Sequence, residues 1–421
     1  MRIGNSKMLE NCNEYIDPNH KRNKISACFA WILFLGVLPF DKAALTLYSS
    51  SNIGEMLALL LNAITVFWAF VGFVNRMFLT KSKIRISRKY IFFFAALLVI
   101  YLFSGFVTPL SVKRIFSMAC LLAYYIHVIC NYDDIIYLMK DVNRALFFII
   151  ALSVILYISG SDHVMYTENA TSEVFKGIAD NRNSYAEFTL FFVVTNFCLW
   201  RHSKTLGLWR LFTSAIAIYT TALTNGATSI ICMYLLVLLL VITLIWKSMG
   251  RLISFNVFSV VYVVVFAVMV VSQYTEWSVL EYVIDIFEKT SSLTGRTNIW
   301  RITIEQISAK PIFGFGYESA ALLENGVVEN DPHNSVLYTM FTQGIVGVAV
   351  FIGMTAFLWK NDIDKKIKGN IIYNAMLLFV ITWLIRGLTE SVFSYTHFVF
   401  WCALIIMERV SDDVREREKD V

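Results

Sequence analysis

Long runs of Leu, Ile, Val, Phe and Ala, separated by short clusters of charge, recur along this chain from about residue 25 to residue 409. Runs near the ~20 residues that cross a ~30 Å hydrocarbon layer predict membrane-spanning helices, because a helix satisfies its own backbone where water cannot. The pattern predicts about twelve spans. They fall near residues 25–40, 53–74, 90–107, 115–130, 145–159, 185–200, 210–224, 229–246, 252–272, 335–358, 371–387 and 396–409. Two intervening segments, 160–184 and 273–334, are too long for turns, and loops of such length carry function or structure of their own. In the longer one, Trp277, Leu280, Ile284 and Phe287 recur at helical spacing while Glu281, Asp285 and Glu288 share another face. That is an amphipathic helix, lying either on the bilayer or against the bundle.

Composition turns this pattern into a fold class. Hydrophobic residues make up 57% of the 421 and charged ones 16%, with a mean hydropathy of +0.62. A soluble globular chain has about 25% charged residues. The expectation is an all-α polytopic membrane protein with about twelve transmembrane helices and a large, partly helical outer loop, residues 1–421 forming one integral membrane domain. A secreted disulfide scaffold, a disordered chain and a nucleic-acid binder are excluded.

The placement of the basic residues says more than the net charge of +5. Lys and Arg in short loops favour the cytoplasm. Arg76, Lys81, Lys83, Arg85, Arg88 and Lys89 crowd one loop, and Arg201, Lys204 and Arg210 another. Lys247 and Arg251, then Lys360, Lys365, Lys366 and Lys368, then Arg415, Arg417 and Lys419 mark the rest. All lie on one side if both termini are cytoplasmic, which puts 160–184 and 273–334 outside. Lys113 and Arg114, on the short turn after Pro109, are the exception. The first apolar run follows about 24 polar residues and has no small-residue cleavage site, so that span is expected to be retained. No pair of the seven cysteines faces an oxidising compartment, and no disulfide is expected.

Chemistry-bearing residues concentrate in the outer segments. The run SSLTGRTNIWRITIEQISAKPIFGFGYES puts Gly295 and Arg296 at the start of a helix that ends before Pro311. There the five-donor guanidinium joins the free backbone N–H groups of a helix start, making an anion site. Arg301 has an i, i+4 partner in Glu305, whereas the equivalent position for Arg296 is Trp300. Gly314-Phe315-Gly316 reads as the turn after the helix. The loop closes on Asp331-Pro332-His333-Asn334. Gly344 and Gly347 fall on the helix stripe below His333, where small residues let another helix approach. Taken alone, His333 reads equally as an interfacial capping residue. Asp180-Asn181-Arg182-Asn183-Ser184 is either a helix cap or a polar cluster at the interface. Arg386 and Glu390, at the outer end of the eleventh span, form an internal i, i+4 pair or face a cavity.

Other constellations are missing from the sequence. No Walker A sequence, no HExxH and no ligand-like Cys/His spacing on the outer side supports ATP or metal chemistry. Asp133-Asp134 reads as a solvated acidic turn on the cytoplasmic side. Asn169-Ala170-Thr171 fits a glycosylation sequon, a pattern short enough to arise by chance.

At these residues the chain resembles the O-antigen ligase and O-antigen polymerase superfamily of bacterial membrane enzymes. SLTGR-x-x-IW (Ser292–Trp300) is the strongest match, followed by KPIFGFG (Lys310–Gly316). His333-Asn334 with nine residues before Gly344-x-x-Gly347 resembles the family's H[NSQ]-x9-G-x-x-G signature, and Asn181–Ala186 a weaker Asn-centred motif. The resemblance implies transfer of a glycan from an undecaprenyl-diphosphate carrier to an acceptor hydroxyl at the periplasmic face of the inner membrane, with no metal and no cofactor. It implies His333 as the base and Arg296 and Arg182 as diphosphate ligands; Arg301 is a further candidate ligand, and Asn183, Asn334, Gly295, Arg386 and Glu390 are candidates for supporting roles. The partners it implies are the lipid-linked oligosaccharide and, from the same pathway, a chain-length regulator and a flippase.

One departure bears on the acceptor. Many members, ligases especially, carry a Ser-Arg or Thr-Arg pair at the outer end of a mid-chain span, and here the corresponding stretch Leu223–Ser229 has no arginine. A polymerase joining lipid-linked repeat units is therefore expected, with a ligase onto lipid A-core as the alternative. A lipid-linked glycan transporter is a distant third, since it predicts functional groups near mid-membrane rather than at the outer interface.

Overall fold

The structure, a computed structural model, describes residues 30–36, 51–75, 78, 88–132, 134–169, 172–179, 181–202, 207–246, 253–271, 290–317, 319–327, 331–392 and 397–419. The helix expected around Trp277 lies outside these residues. The described helices are α1 (Ser51–Val74), α2 (Arg88–Val107), α3 (Val112–Asn131), α4 (Ile135–Ile158), α5 (Arg182–His202), α6 (Gly207–Leu223) and α7 (Ala227–Ile245). They continue with α8 (Phe255–Val271), α9 (Thr290–Ala309), the single turn α10 (Ala321–Glu324), α11 (Ser335–Asn361), α12 (Ile371–Arg386) and α13 (Phe398–Lys419). The described residues fall into two compact units, one from Met1–Ser82 with Ala123–Met233, the other from Lys83–Leu122 with Tyr234–Val421.

Among the described residues the all-helical expectation holds apart from one antiparallel hairpin, β1 (Met165–Asn169) and β2 (Ser172–Phe175), within the first segment expected outside. Among the described residues α4, α7 and α11 are long and apolar enough to cross a membrane. Leu59–Val74, Leu98–Val107, Met118–Ile129, Phe255–Met269 and Ile371–Arg386 are shorter apolar helical stretches. The absence of one expected span, 185–200, from both sets has a visible cause in α5. It carries Glu187, Thr189, Thr195 and Asn196, all buried, so its middle is polar because it faces protein rather than lipid. Lys113 and Arg114, expected on a turn, lie in the first turn of α3.

In the first unit α5 is sandwiched between α4 and α6. The Asn143 amide donates to Thr195 Oγ1 (2.9 Å), and the Asn196 amide donates to Thr213 Oγ1 (3.2 Å) and Ser214 Oγ (3.1 Å), so side-chain hydrogen bonds tie the three helices together. Asp134 caps α4 by accepting from the Ile136 N–H at 2.7 Å, and burial raises its carboxyl above the usual range. It is a helix cap rather than a freely solvated turn.

In the second unit the decisive feature is a break inside α11. Gly344 has φ 64° and ψ −162°, so the helix run from Ser335 to Asn361 is two helical pieces meeting at a kink. The stripe carrying His333, Gly344 and Gly347 is thus interrupted, because its geometry assumed one continuous helix. What approaches the glycine is backbone: a Cβ on Gly344 would lie 2.2 Å from Ile312 O, and one on Gly314 2.6 Å from Phe341 O. The turn after α9 fills the kink and takes up the freed groups. Ile345 N–H donates to Pro311 O (2.9 Å) and Val346 N–H to Ile312 O (3.3 Å), while Phe315 N–H donates to Phe341 O (2.7 Å) and Gly316 N–H to Thr342 O (2.9 Å). Irregular backbone at such a position persists only where protein supplies these partners. At the far end of α11, Asp362 accepts from Ser254 Oγ, from the Phe255 and Asn256 N–H groups that open α8, and from Lys368. Burial alone would raise its carboxyl, but these donors outweigh it and hold the group below its ordinary range.

Candidate active site

Helix α9 presents two faces. Trp300, Thr303 and Ile307 are buried at helical spacing, while Asn298, Arg301, Glu305 and Ser308 are exposed. Trp300 joins a core with Leu322, Val327, Leu337 and Phe341, and its indole N–H donates to Pro332 O at 2.8 Å. That bond anchors the turn bearing His333 onto α9. Arg296, one turn before Trp300, lies on the same side.

The helix begins at Thr290, earlier than the sequence motif suggests. Its unpaired N–H groups therefore belong to the first turn, and Gly295 and Arg296 lie beyond it. The anion site drawn from a helix start at Arg296 is corrected in this respect: its guanidinium acts without that backbone cradle. Instead, Nη1 donates to Thr389 O at 2.7 Å and Nη2 to Glu390 Oε1 at 3.3 Å. The other oxygen of the same carboxylate, Oε2, lies 3.9 Å from His333 Nδ1. One carboxylate thus faces both an arginine and a histidine from the two motifs.

His333 is set by strong local geometry. Its φ of 50° is the left-handed conformation, which costs a non-glycine residue ~1–2 kcal/mol. Asp331 offsets this by accepting the His333 N–H at 2.8 Å and also the Ser391 hydroxyl. Asn334 then caps α11, its Oδ1 accepting from Val336 N–H (3.0 Å) and Leu337 N–H (3.1 Å) while its amide donates to Leu388 O (2.9 Å). Ser335 Oγ donates to Glu390 O at 2.7 Å and accepts from Val392 N–H at 2.7 Å. The strap after α12, Gly387–Val392, is in this way stitched to the head of α11, which fixes where Glu390 points.

Of the other expected residues, Arg301 turns away. It is exposed and bound to Glu305 (2.9 Å) and Asn298 (3.0 Å) on its own helix. Its position five residues after Arg296 rotates it by ~140° around the helix. Arg386 is fully buried at the end of α12, its guanidinium 5.6 Å from the Trp383 ring centre. Glu390, four residues on, directs its carboxylate at Arg296 and His333. Arg182 and Asn183 open α5 in the other compact unit, where Asn181 Oδ1 accepts the Ser184 N–H at 2.8 Å, so this cluster caps a helix. Thr389 and Ser391 had no signal in the sequence beyond their types, because their partners are remote along the chain.

The arrangement can do two things. A guanidinium fixed at two points still has donors for an oxyanion, and its planar fork can pair bidentately with two phosphate oxygens. A partly exposed imidazole facing the same carboxylate can take a proton from a hydroxyl.

Residues 212–352 match the sequence model of a family described as O-Antigen ligase. That span holds Arg296, His333 and both glycine turns. A protein of Pseudomonas aeruginosa described as O-antigen ligase is 33% identical over 102 residues, 23% of this chain and 23% of that protein. The chain thus matches about a quarter of that relative's length. Both findings support the superfamily resemblance carried by the motifs.

Proposed function

We propose that this chain transfers a glycan from a lipid-diphosphate carrier to an acceptor hydroxyl, at a site formed by Arg296 and His333. The observation carrying this is the meeting of the two motif residues through Glu390. In the reaction His333 takes the proton of the acceptor hydroxyl, whose oxygen bonds to the anomeric carbon. The bond from that carbon to the diphosphate oxygen breaks, and the electron pair leaves with the diphosphate against Arg296. Such a positioned donor typically contributes about 3–4 kcal/mol of barrier. The site lies on the periplasmic side of the inner membrane in this proposal.

For the acceptor, the descriptions of the matching family and of the Pseudomonas aeruginosa relative favour lipid A-core, the ligase reading. The turn between α6 and α7, Thr224-Asn225-Gly226, lacks the arginine typical of ligases and favours a second reading, polymerase. A deletion strain scored on a polysaccharide gel separates them. Bare lipid A-core with glycan accumulating on the carrier identifies a ligase; core bearing one repeat unit identifies a polymerase. Normal long-chain polysaccharide in that strain overturns both.

A further inference from the structure

We propose that Glu390 is the positioning residue for His333, coupling the base to the arginine that holds the departing diphosphate; this rests on reading His333 as the base. The Glu390 side chain is 11% exposed and stands where a lone buried charge would be costly, so its two neighbours are part of its solvation. Oε1 meets Arg296 at 3.3 Å and Oε2 faces His333 Nδ1 at 3.9 Å. The second distance is a charge contact rather than a hydrogen bond, and such catalytic contacts tighten when substrate fills the site.

The geometry selects a tautomer. With Nδ1 turned to a carboxylate, the proton of the neutral ring is favoured there and the basic lone pair is on Nε2, the atom that takes the acceptor's proton. When that hydroxyl gives up its proton, the imidazolium forms beside a negative charge already in place. Nothing has to reorganise at that moment. Arg296 acts in the complementary sense, neutralising Glu390 so that a diphosphate can approach without meeting a bare carboxylate. Three features keep Glu390 in this pose. Its own C=O accepts from Ser335 Oγ (2.7 Å), its N–H donates to Arg386 O (3.0 Å), and the adjacent Thr389 C=O is bound by Arg296. The strap is fastened to α9, α11 and α12 at once.

The test is kinetic, on purified full-length protein in nanodiscs with a lipid-diphosphate-linked glycan donor. Glu390→Gln keeps size and an acceptor oxygen for Arg296 but loses the charge that His333 faces. The expected result is a kcat at least ~10-fold lower, within the range that general-base catalysis supplies. The donor KM should be unchanged or lower, because no carboxylate then competes for Arg296. In a His333→Ala background the same change should have no further effect, since Glu390 acts through the imidazole. If the Gln variant does not fold, Glu390→Asp carries the same cycle, withdrawing the carboxylate from Nδ1 while retaining its charge. A kcat within threefold of wild type, or equal losses with and without His333, overturns the proposal. If His333→Ala itself runs at the wild-type rate, the base reading falls first; if His333→Ala is inactive and the Glu390 variant is not, only the role of Glu390 falls.

Discussion

Arg296 and Arg301 lie on one short helix, yet they have opposite surroundings. The first is 22% exposed and held by a carbonyl and a carboxylate from a distant strap; the second is 47% exposed and paired within its own helix. An exposed i, i+4 pair is worth about 0.3–0.5 kcal/mol, so Arg301→Ala should leave transfer activity near wild type. Arg296→Lys keeps the charge but loses the planar fork, and most activity should vanish at normal protein levels. Both are read by transferring glycan in a purified assay; the reverse ranking moves the anion role to Arg301. His333→Ala should lower the rate by about 10²- to 10⁴-fold, the range of a general base, with membrane insertion intact. His163→Ala, in the turn before the hairpin, should match wild type. The Arg301 pair was legible from spacing alone because helix geometry fixes which residues meet at i, i+4. The partner of Arg296 was not, since it lies 94 residues away.

At the scale of elements, the junction of α11 with the turn after α9 decides the shape around the site. Gly344 at φ 64° has Ile312 O where a Cβ would stand, and Gly314 at φ 68° has Phe341 O. Gly344→Ala therefore combines left-handed strain of about 1–2 kcal/mol with overpacking of about 1–3 kcal/mol against rigid backbone. Gly326, at φ 86° with open space around it, isolates the first effect, and Gly369, with neither problem, isolates the background. Thermal unfolding in detergent should rank the alanine variants as Gly344 lowest, then Gly326, with Gly369 within about 0.5 kcal/mol of wild type. Equal stability of the Gly344 and Gly369 variants would remove the kink as a structural requirement. The x9 spacing from His333-Asn334 to Gly344 is accordingly the length of the first piece of α11, from its cap to its break. The sequence showed the spacing; the reason for the glycine is a turn that begins at Pro311.

At the scale of the whole chain, the distribution of Lys and Arg predicts which ends of the helices face the cytoplasm. Two exposed positions test it. A cysteine at Asn298, on the outer face of α9, should react with a membrane-impermeant thiol reagent in cells with permeabilised outer membranes. One at Lys365, in the turn between α11 and α12, should react only after the inner membrane is opened. Labelling of Lys365→Cys with protection of Asn298→Cys would invert the orientation and with it the periplasmic site. Among the described residues Cys120, Cys198, Cys232 and Cys402 are buried, so these four add little background to the assay.

The sequence by itself determined what depends on near neighbours and on solvent: a largely helical membrane class from hydropathy, the Arg301–Glu305 pair from spacing, and the motifs that single out Arg296 and His333. The first two are consequences of transfer from water and of helix period, which act over a few residues. Only the tertiary structure decided that Glu390 is shared between those two residues, that Arg301 is not with them, that a polar seam binds α4, α5 and α6, and that α11 breaks at Gly344. These are encounters between segments far apart in the chain, and their specificity resides in strap hydrogen bonds and backbone contacts that no spacing encodes. Where the helix of Arg296 begins was likewise outside the reach of the motif: it starts at Thr290, ahead of the start that Gly295 suggested.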